Sequence, residues 1–290
     1  MKIRANAKLN LSLDIVGVRD DGYHLLDMVL QSITLSDILT ITTTDNAQIV
    51  IESNSSDIPT KEQSSQNLVY QAALLLADFC GLKDPGLHIY IEKHIPTEAG
   101  LGGGSADAAA TLIALRQLYN LSISDQELAE IGLSLGADIP FCLKGGTANV
   151  SGIGEIVSPL NPLTDCHFIV VMPPAGISTA VAYQLIDRKH SYKKPNTEQL
   201  ISAVELSDVS SVADNLQNVF ESSGVVMLPQ HPVEFMKSHR ADGISLTGSG
   251  TAFFGMFCDE TAAVYCYEEM KLNYMCWLCK PTDSGTEFIQ

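Results

Sequence analysis

The sequence predicts a protein of mixed α and β structure in two domains, and three observations carry that reading. At 290 residues the chain is long for a single core and comfortable for two. Its first half alternates strand-like and helix-like segments around a loop in which residues 100 and 102–104 are all glycine. A change of composition at Pro159-Leu-Asn-Pro162 then marks a boundary, after which strand and helix patterns begin again.

Ile3, Ala5, Ala7, Leu9, Leu11, Leu13 and Ile15 alternate with Lys2, Arg4, Asn6, Lys8, Asn10, Ser12 and Asp14. This is the period of a strand with one apolar face. Lys8 and Asn10 share the polar face, which is either a site built on a rigid element or a solvated exterior. Next, Arg19-Asp-Asp-Gly-Tyr-His24 presents an aromatic ring and an imidazole on a glycine turn. The pair could stack on and bond to a flat heterocycle, or belong to an ordinary capped turn. Residues 33–41 and 48–52 read as further strands, and 53–66 as a polar loop.

Asn67 is expected to cap a helix with Leu68, Ala72, Leu75, Leu76 and Phe79 inward and Gly81 at its end. A strand at 87–92 feeds into the glycine loop, and the loop into a helix with Ser105 as N-cap and Ala108, Leu112, Leu115 and Tyr119 on one face. Converging backbone N–H groups and a helix N-terminus favour an anion, phosphate first. A Walker A loop would need Lys and Ser/Thr after its last glycine, whereas Ser105, Ala106 and Asp107 follow Gly104. A dinucleotide-binding fingerprint would open the first βαβ unit, and this loop comes late. Ser124-Asp-Gln-Glu127 is a capping box opening a helix with Leu128, Ile131 and Leu135 inward. Asp138 follows, expected at a helix C-terminus, where dipole and desolvation disfavour a bare carboxylate and call for a cation such as Lys8. A capping or turn-forming role is the alternative. Residues 145–154 read as a strand pair.

Beyond the boundary, residues 167–172 read as a strand, 173–179 as a loop, and 180–188 as a helix carrying Tyr183. Residues 189–195 are expected to be mobile, and 199–206 and 212–222 helical. Thr247-Gly-Ser-Gly-Thr-Ala-Phe-Phe-Gly255 is a second glycine loop between strands, able to approach the same phosphates across a cleft.

The net charge of −17 argues against a nucleic-acid partner. Seven cysteines, an odd number without framework spacing, point to a reducing compartment, with Cys276 and Cys279 read as structural thiols. No apolar run approaches the roughly 20 residues of a membrane span, and the N-terminus lacks a signal core. A soluble cytoplasmic protein without a membrane partner is expected, as monomer or homodimer.

Taken together, Ala7-Lys8-Leu9-Asn10-Leu11, the stretch from Pro96 to Ala110 and Leu246-Thr-Gly-Ser-Gly-Thr-Ala252 resemble, in order, three motifs of one kinase superfamily. It is the GHMP superfamily of galactokinase, homoserine kinase, mevalonate kinase and phosphomevalonate kinase. Within it, Arg19 to His24 with Gln31, and Leu135-Gly-Ala-Asp-Ile-Pro-Phe141, are most similar to one branch. That branch phosphorylates the 2-hydroxyl of 4-diphosphocytidyl-2-C-methyl-D-erythritol, a cytidine diphosphate methylerythritol of the non-mevalonate route to isoprenoid precursors. The resemblance implies an α+β fold with an N-terminal domain like the second domain of ribosomal protein S5 at 1–158. It also implies a ferredoxin-like domain at 159–290, with the active site between the two.

Carried over residue by residue, the resemblance makes Lys8 and Asp138 the catalytic pair. Asn10 would position the erythritol, Tyr23 and Tyr183 would sandwich the cytosine, His24 would read its polar edge, and Thr179 would lie in the substrate loop. Pro96, Thr97, Glu98, Ala99, Gly100, Leu101, Gly102, Gly103, Gly104, Ser105 and Ala106 would wrap the phosphates of ATP. Asn67 would lie near the adenine, Gly248, Ser249 and Gly250 would complete the phosphate site, and Mg²⁺ would travel with ATP, with no protein ligand assigned. The chain departs from the family pattern at Ala106, Met28, Asn149, Ser151 and Ile153. Two other readings are a homoserine- or mevalonate-type kinase, opposed by Tyr23, His24 and Tyr183, and a non-catalytic nucleotide-binding protein, opposed by the presence of both Lys8 and Asp138.

Overall fold

The computed structural model describes residues 1–83, 85–174, 176–189 and 191–289. Ala175, in the loop expected at 173–179, and His190, in the segment expected to be mobile, lie outside the described residues. The N-terminal alternation forms strand β1 (Lys2–Val18), which pairs antiparallel with the long β2 (His24–Thr43). There follow β3 (Ile49–Ser53), helix α1 (Leu68–Phe79), β4 (Leu87–Glu92), α2 (Gly103–Leu118), α3 (Asp125–Leu135), α4 (Ile139–Lys144), β5 (Thr147–Gly152) and β6 (Ile156–Pro159). The remainder comprises β7 (His167–Met172), α5 (Thr179–Ile186), α6 (Thr197–Glu205), α7 (Val209–Asp214), β8 (Gln217–Asn218), α8 (Val219–Ser222) and α9 (Gln230–Ser238). It ends with β9 (Gly243–Leu246), β10 (Phe253–Phe257), α10 (Glu260–Met270), β11 (Met275–Cys279) and β12 (Thr286–Ile289).

Two sheets organise these elements, in keeping with the expected α+β class. The first runs β12-β1-β2-β4-β3, with β5 and β6 added alongside the first half of β2. The second runs β11-β7-β10-β9, antiparallel throughout, which is the strand order of a ferredoxin-like unit. The boundary at 159 does not sort the strands cleanly. β12 returns to pair with Lys2 to Ala5, and β8 pairs with Ser12 and Leu13, so both extend the first sheet.

The polar face of β1 is buried from Asn6 to Asp14, and breaks of register explain how. Pairing with β2 shifts between Asn6 and Lys8 and again between Asn10 and Ser12. Such irregularities re-aim the side chains that follow them. Ile3, Ala5, Leu13 and Ile15 therefore pack in the core with α1 and α2, whereas Ala7, Leu9 and Leu11 pack with Phe168, Val170, Phe254 and Leu200 of the second unit. One strand thus serves two cores, and its middle section turns Lys8 and Asn10 toward the helices.

Two helical expectations are corrected. Helix α1 buries Val69, Ala72, Ala73, Leu76 and Ala77, while Leu75 and Phe79 face out. The small residues win where α1 packs on α2, whose buried residues include Ala106, Ala108, Ala109 and Ala110. The stretch 212–222 is not one helix but the end of α7, β8 and α8. In the segment expected to be mobile, Lys193 O accepts from Gln217 Nε2 and Ser222 Oγ, and Lys194 Nζ donates to Ile15 O.

Under the glycine loop lies a buried charge cluster that ties α2 to the sheet. Lys93, just past β4, bonds Asp37 of β2 and lies 2.9 Å from Asp107 Oδ2 of α2. The other oxygen of Asp37 accepts the N–H groups of His94 and Ile95 at 2.6 and 2.8 Å. Asp107 Oδ1 is buried without a hydrogen-bond partner among the described residues. One cation between two carboxylates leaves Asp107 the less compensated, and burial pushes its pKa up to about 8 against the attraction of Lys93.

Lys93→Met should therefore cost about 3–5 kcal/mol of stability in urea unfolding, since it strands the buried Asp37 carboxylate beside Asp107. The folded state holds the Asp107 proton more tightly than the unfolded chain does. Its stabilising contribution is thus complete below about pH 4 and is lost as pH rises toward about 8. Asp107→Asn should flatten that slope, and an unchanged pH profile would refute the assignment.

Candidate active site

The glycine loop and β1 approach each other at the backbone. Lys8 N donates to Leu101 O at 3.0 Å. Gly102 has φ +71°, and a Cβ there would lie 3.0 Å from Lys8 Cγ, so glycine is needed for both conformation and space. Gly102, not Ser105, is the N-cap of α2, and it offers no side-chain cap. The N–H groups of Gly103, Gly104 and Ser105 consequently have no partner among the described residues. With the helix dipole behind them, they form a seat for an anion.

Asp138 also differs from expectation. Helix α3 stops at Leu135 with Gly136 as C-cap, and Asp138 is the N-cap of α4, with Pro140 in that helix's first turn. The nearby dipole therefore favours the carboxylate rather than opposing it. Its side chain makes no capping bond and instead faces Lys8, with Oδ2 3.5 Å from Nζ. The Lys8 side chain is 4% exposed and that of Asp138 31%, so the carboxylate can be reached from outside and the ammonium backs it.

Lys8 Nζ donates to Asn10 Oδ1 at 2.7 Å. The same oxygen accepts Gly248 N at 2.8 Å, while Asn10 N donates to Thr247 Oγ1 at 3.1 Å. Thr247 Oγ1 in turn donates to Gly100 O at 3.2 Å. The two glycine loops touch directly, since a Cβ on Gly100 would lie 2.4 Å from Thr247 O and one on Gly248 2.9 Å from Gly100 Cα. Asn10 Nδ2 donates to Met28 Sδ at 3.3 Å, a weak acceptor standing at one of the departures from the family pattern.

Two cavities meet at this point. The larger, about 590 Å³, is lined by Asn67, the run from Pro96 to Ser105, Lys93, Asp107 and Thr179. The other, about 500 Å³, is lined by Lys8, Asn10, Tyr23, His24, Met28, Asp138, Ile153, Tyr183, Gly248 and Ser249. Gly100, Ser105 and Thr179 line both. Of the residues singled out in the sequence, Ala106 and Gly250 line neither: Ala106 is packed into the core, and Gly250 O lies behind Gly100. Asn67 caps α1 through Oδ1 and donates from Nδ2 to Pro59 O, so its amide is already engaged. Ser249 Oγ donates to Thr179 Oγ1 at 2.8 Å.

In the smaller cavity, the Tyr183 ring lies 4.6 Å from that of His24 and packs edge-on against Phe220. Burial, with Asp138 nearby, raises the pKa of the Tyr183 hydroxyl. Tyr23 stands exposed at the rim. Asn149 turns away, donating to Asp27 Oδ1 and Met28 O. Sequence reasoning did not single out Asp187, which bonds His24, although its i+4 spacing from Tyr183 on a helix carried the signal. It also passed over Lys93, whose charge is consumed by two carboxylates distant in sequence.

A family model described as the GHMP kinases N terminal domain matches residues 67–146. A 4-diphosphocytidyl-2-C-methyl-D-erythritol kinase of Clostridium novyi is 46% identical over 279 residues, covering 94% of this chain and 97% of that protein. One of Caldicellulosiruptor bescii is 41% identical over 293 residues, covering 99% and 100%. A crystal structure of 4-(cytidine 5'-diphospho)-2C-methyl-D-erythritol kinase superposes with a TM-score of 0.79 at 28% identity, covering 97% of this chain and 99% of that one. A homoserine kinase from Cytophaga hutchinsonii superposes equally well, at 0.80, but at 18% identity and over 100% and 97%, which speaks for the fold alone.

Gly102→Ala should lower stability by about 1–3 kcal/mol through backbone strain and displace Lys8 from Asp138. Thermal unfolding measures the first effect. An alanine variant as stable as the parent would show that the close approach of loop and strand is not needed.

Proposed function

The chain belongs to the 4-diphosphocytidyl-2-C-methyl-D-erythritol kinase family of the GHMP superfamily, and on that premise we propose how its residues divide the reaction. It is a kinase of the isoprenoid precursor route that uses ATP and phosphorylates an alcohol group. The observation that carries the assignment of roles is the pair of cavities sharing Gly100, Ser105 and Thr179, with Lys8 and Asp138 at their junction.

The larger cavity takes ATP, its phosphates received by the free N–H groups of Gly103, Gly104 and Ser105 and by the loop from Pro96 to Gly102. Asn67 borders the adenine end through its engaged amide and neighbouring backbone, and Gly248 to Gly250 support the loop from behind. The smaller cavity takes the cytidylyl substrate, with the cytosine between Tyr23 and Tyr183, its edge at His24, and the methylerythritol near Asn10 and Thr179.

The substrate's 2-hydroxyl oxygen attacks the γ-phosphorus of ATP as the bond to the bridging oxygen of ADP breaks, and the hydroxyl proton passes to Asp138. Lys8 stands behind the Asp138 carboxylate and offsets charge on the moving phosphoryl group. Asn10 holds Lys8 in place.

Mg²⁺ fits this arrangement as a companion of the nucleotide. Among the described residues no cluster of three or more His, Cys, Asp or Glu could hold a metal ion. Mg²⁺ commonly keeps water and phosphate as its main ligands, and Ser105, which lines both cavities, would be the residue to add a hydroxyl to them. When bound, the ion would neutralise phosphate charge.

We take residues 1–158 together with β8 and β12 as one domain and the rest as a second. Among the described residues no helix is long and apolar enough to cross a membrane. We read the enzyme as cytoplasmic, acting as monomer or homodimer on its small-molecule substrate without a nucleic-acid or membrane partner.

Asp138→Asn should lower the rate of ADP release with the cytidylyl substrate by about 10²–10⁴-fold, with the affinity for ATP measured by calorimetry kept. Release with homoserine or mevalonate in place of the cytidylyl substrate would overturn the substrate assignment. Full turnover by the Asn variant would remove Asp138 from the role of base.

A further inference from the structure

Helix α5 offers two side chains to His24, one turn apart. Tyr183 lies against the imidazole at 4.6 Å with the ring planes 42° apart. Asp187, the C-cap of the same helix, has its backbone N–H bonded to Tyr183 O, and its carboxylate Oδ1 stands 2.7 Å from His24 Nε2. The ring is thereby fixed in orientation by one residue and in hydrogen-bond polarity by the other. His24 lines the smaller cavity, and its Nδ1 has no hydrogen-bond partner among the described residues.

A carboxylate only accepts, so the proton of a neutral imidazole in this contact sits on Nε2, and Nδ1 carries a lone pair. The exocyclic amino group of cytosine donates, whereas the matching O4 of uracil only accepts. An Nδ1 held as acceptor therefore welcomes the first base and meets the second lone pair to lone pair. We propose that Asp187 is a positioning residue for base selection, holding His24 in the tautomer that accepts from cytosine and rejects uracil. The proposal rests on the reading that His24 faces the cytosine.

A tautomer lock acts on the choice of base and not on the chemistry, because Lys8 and Asp138 carry the transfer. Asp187 has a side chain 54% exposed, so its replacement leaves the core intact.

The test compares kcat and KM for the cytidine diphosphate substrate and its uridine diphosphate analogue in the parent enzyme and in Asp187→Ala, Asp187→Asn and His24→Ala. Asp187→Ala should raise KM for the cytidine substrate and lower the cytosine-over-uracil ratio of kcat/KM by about tenfold, with kcat nearly unchanged. Asp187→Asn retains an acceptor oxygen and should keep most of the ratio, which a merely structural role of the carboxylate would not predict. A ratio unmoved in Asp187→Ala while His24→Ala abolishes it would overturn the role of Asp187 alone. A ratio unmoved in His24→Ala would overturn the cytosine-facing assignment and the proposal with it. No turnover of the cytidine substrate by the parent enzyme would refute the functional reading itself.

Discussion

Asn10 Oδ1 accepts the Lys8 ammonium and the Gly248 N–H, while the Asn10 backbone N–H is taken by Thr247, whose hydroxyl reaches Gly100 O. Three stretches that share nothing in sequence, β1 and two glycine loops, meet at this one buried amide. The amide is buried, so each of these bonds counts and each donor is costly to leave alone. Lys8 has little freedom as a result, and its distance to Asp138 is set by the packing of β1 against both loops. The glycines are the geometric counterpart, since a Cβ at Gly100, Gly102 or Gly248 would hold these backbones apart.

An acidic protein that receives a polyphosphate must find positive charge locally. Lysine is scarce for this purpose, because Lys93, at the edge of the larger cavity, is already held by Asp37 and Asp107. What remains is the set of open N–H groups at the start of α2, and Lys8. The first is a fixed array of partial charges and needs no reorganisation when an anion arrives. Lys93 instead fastens α2 to β2 and β4, and so fixes where that array points.

The motifs of the candidate site stand out in the sequence because their chemistry is local. Glycine spacing, a capping box and the strand–loop–helix order each follow from a few adjacent residues. The polar face of β1 was ambiguous because breaks in strand pairing, invisible in an unbroken alternation, decide which core each segment faces. Asp138 was misread by one element: its sequence neighbours end α3, yet Pro140 opens a new helix two residues on. The inward face of α1 was misassigned because Leu75 and Phe79 are the stronger hydrophobes, while close packing against an alanine surface selects Ala72, Ala73 and Ala77. Asp37, Lys93 and Asp107 were out of reach, being a cluster that only the folded sheet assembles.

The pairing of β12 with the first residues of β1 joins positions more than 280 apart in sequence, and the Arg4–Glu287 ion pair crosses the same seam. On the ribosome, the strand bearing Lys8 is made long before its outer neighbour emerges. The N-terminal sheet therefore cannot be completed as an early, independent folding unit. During synthesis its edge stays open to other strands until the residues of the second sheet have all been made.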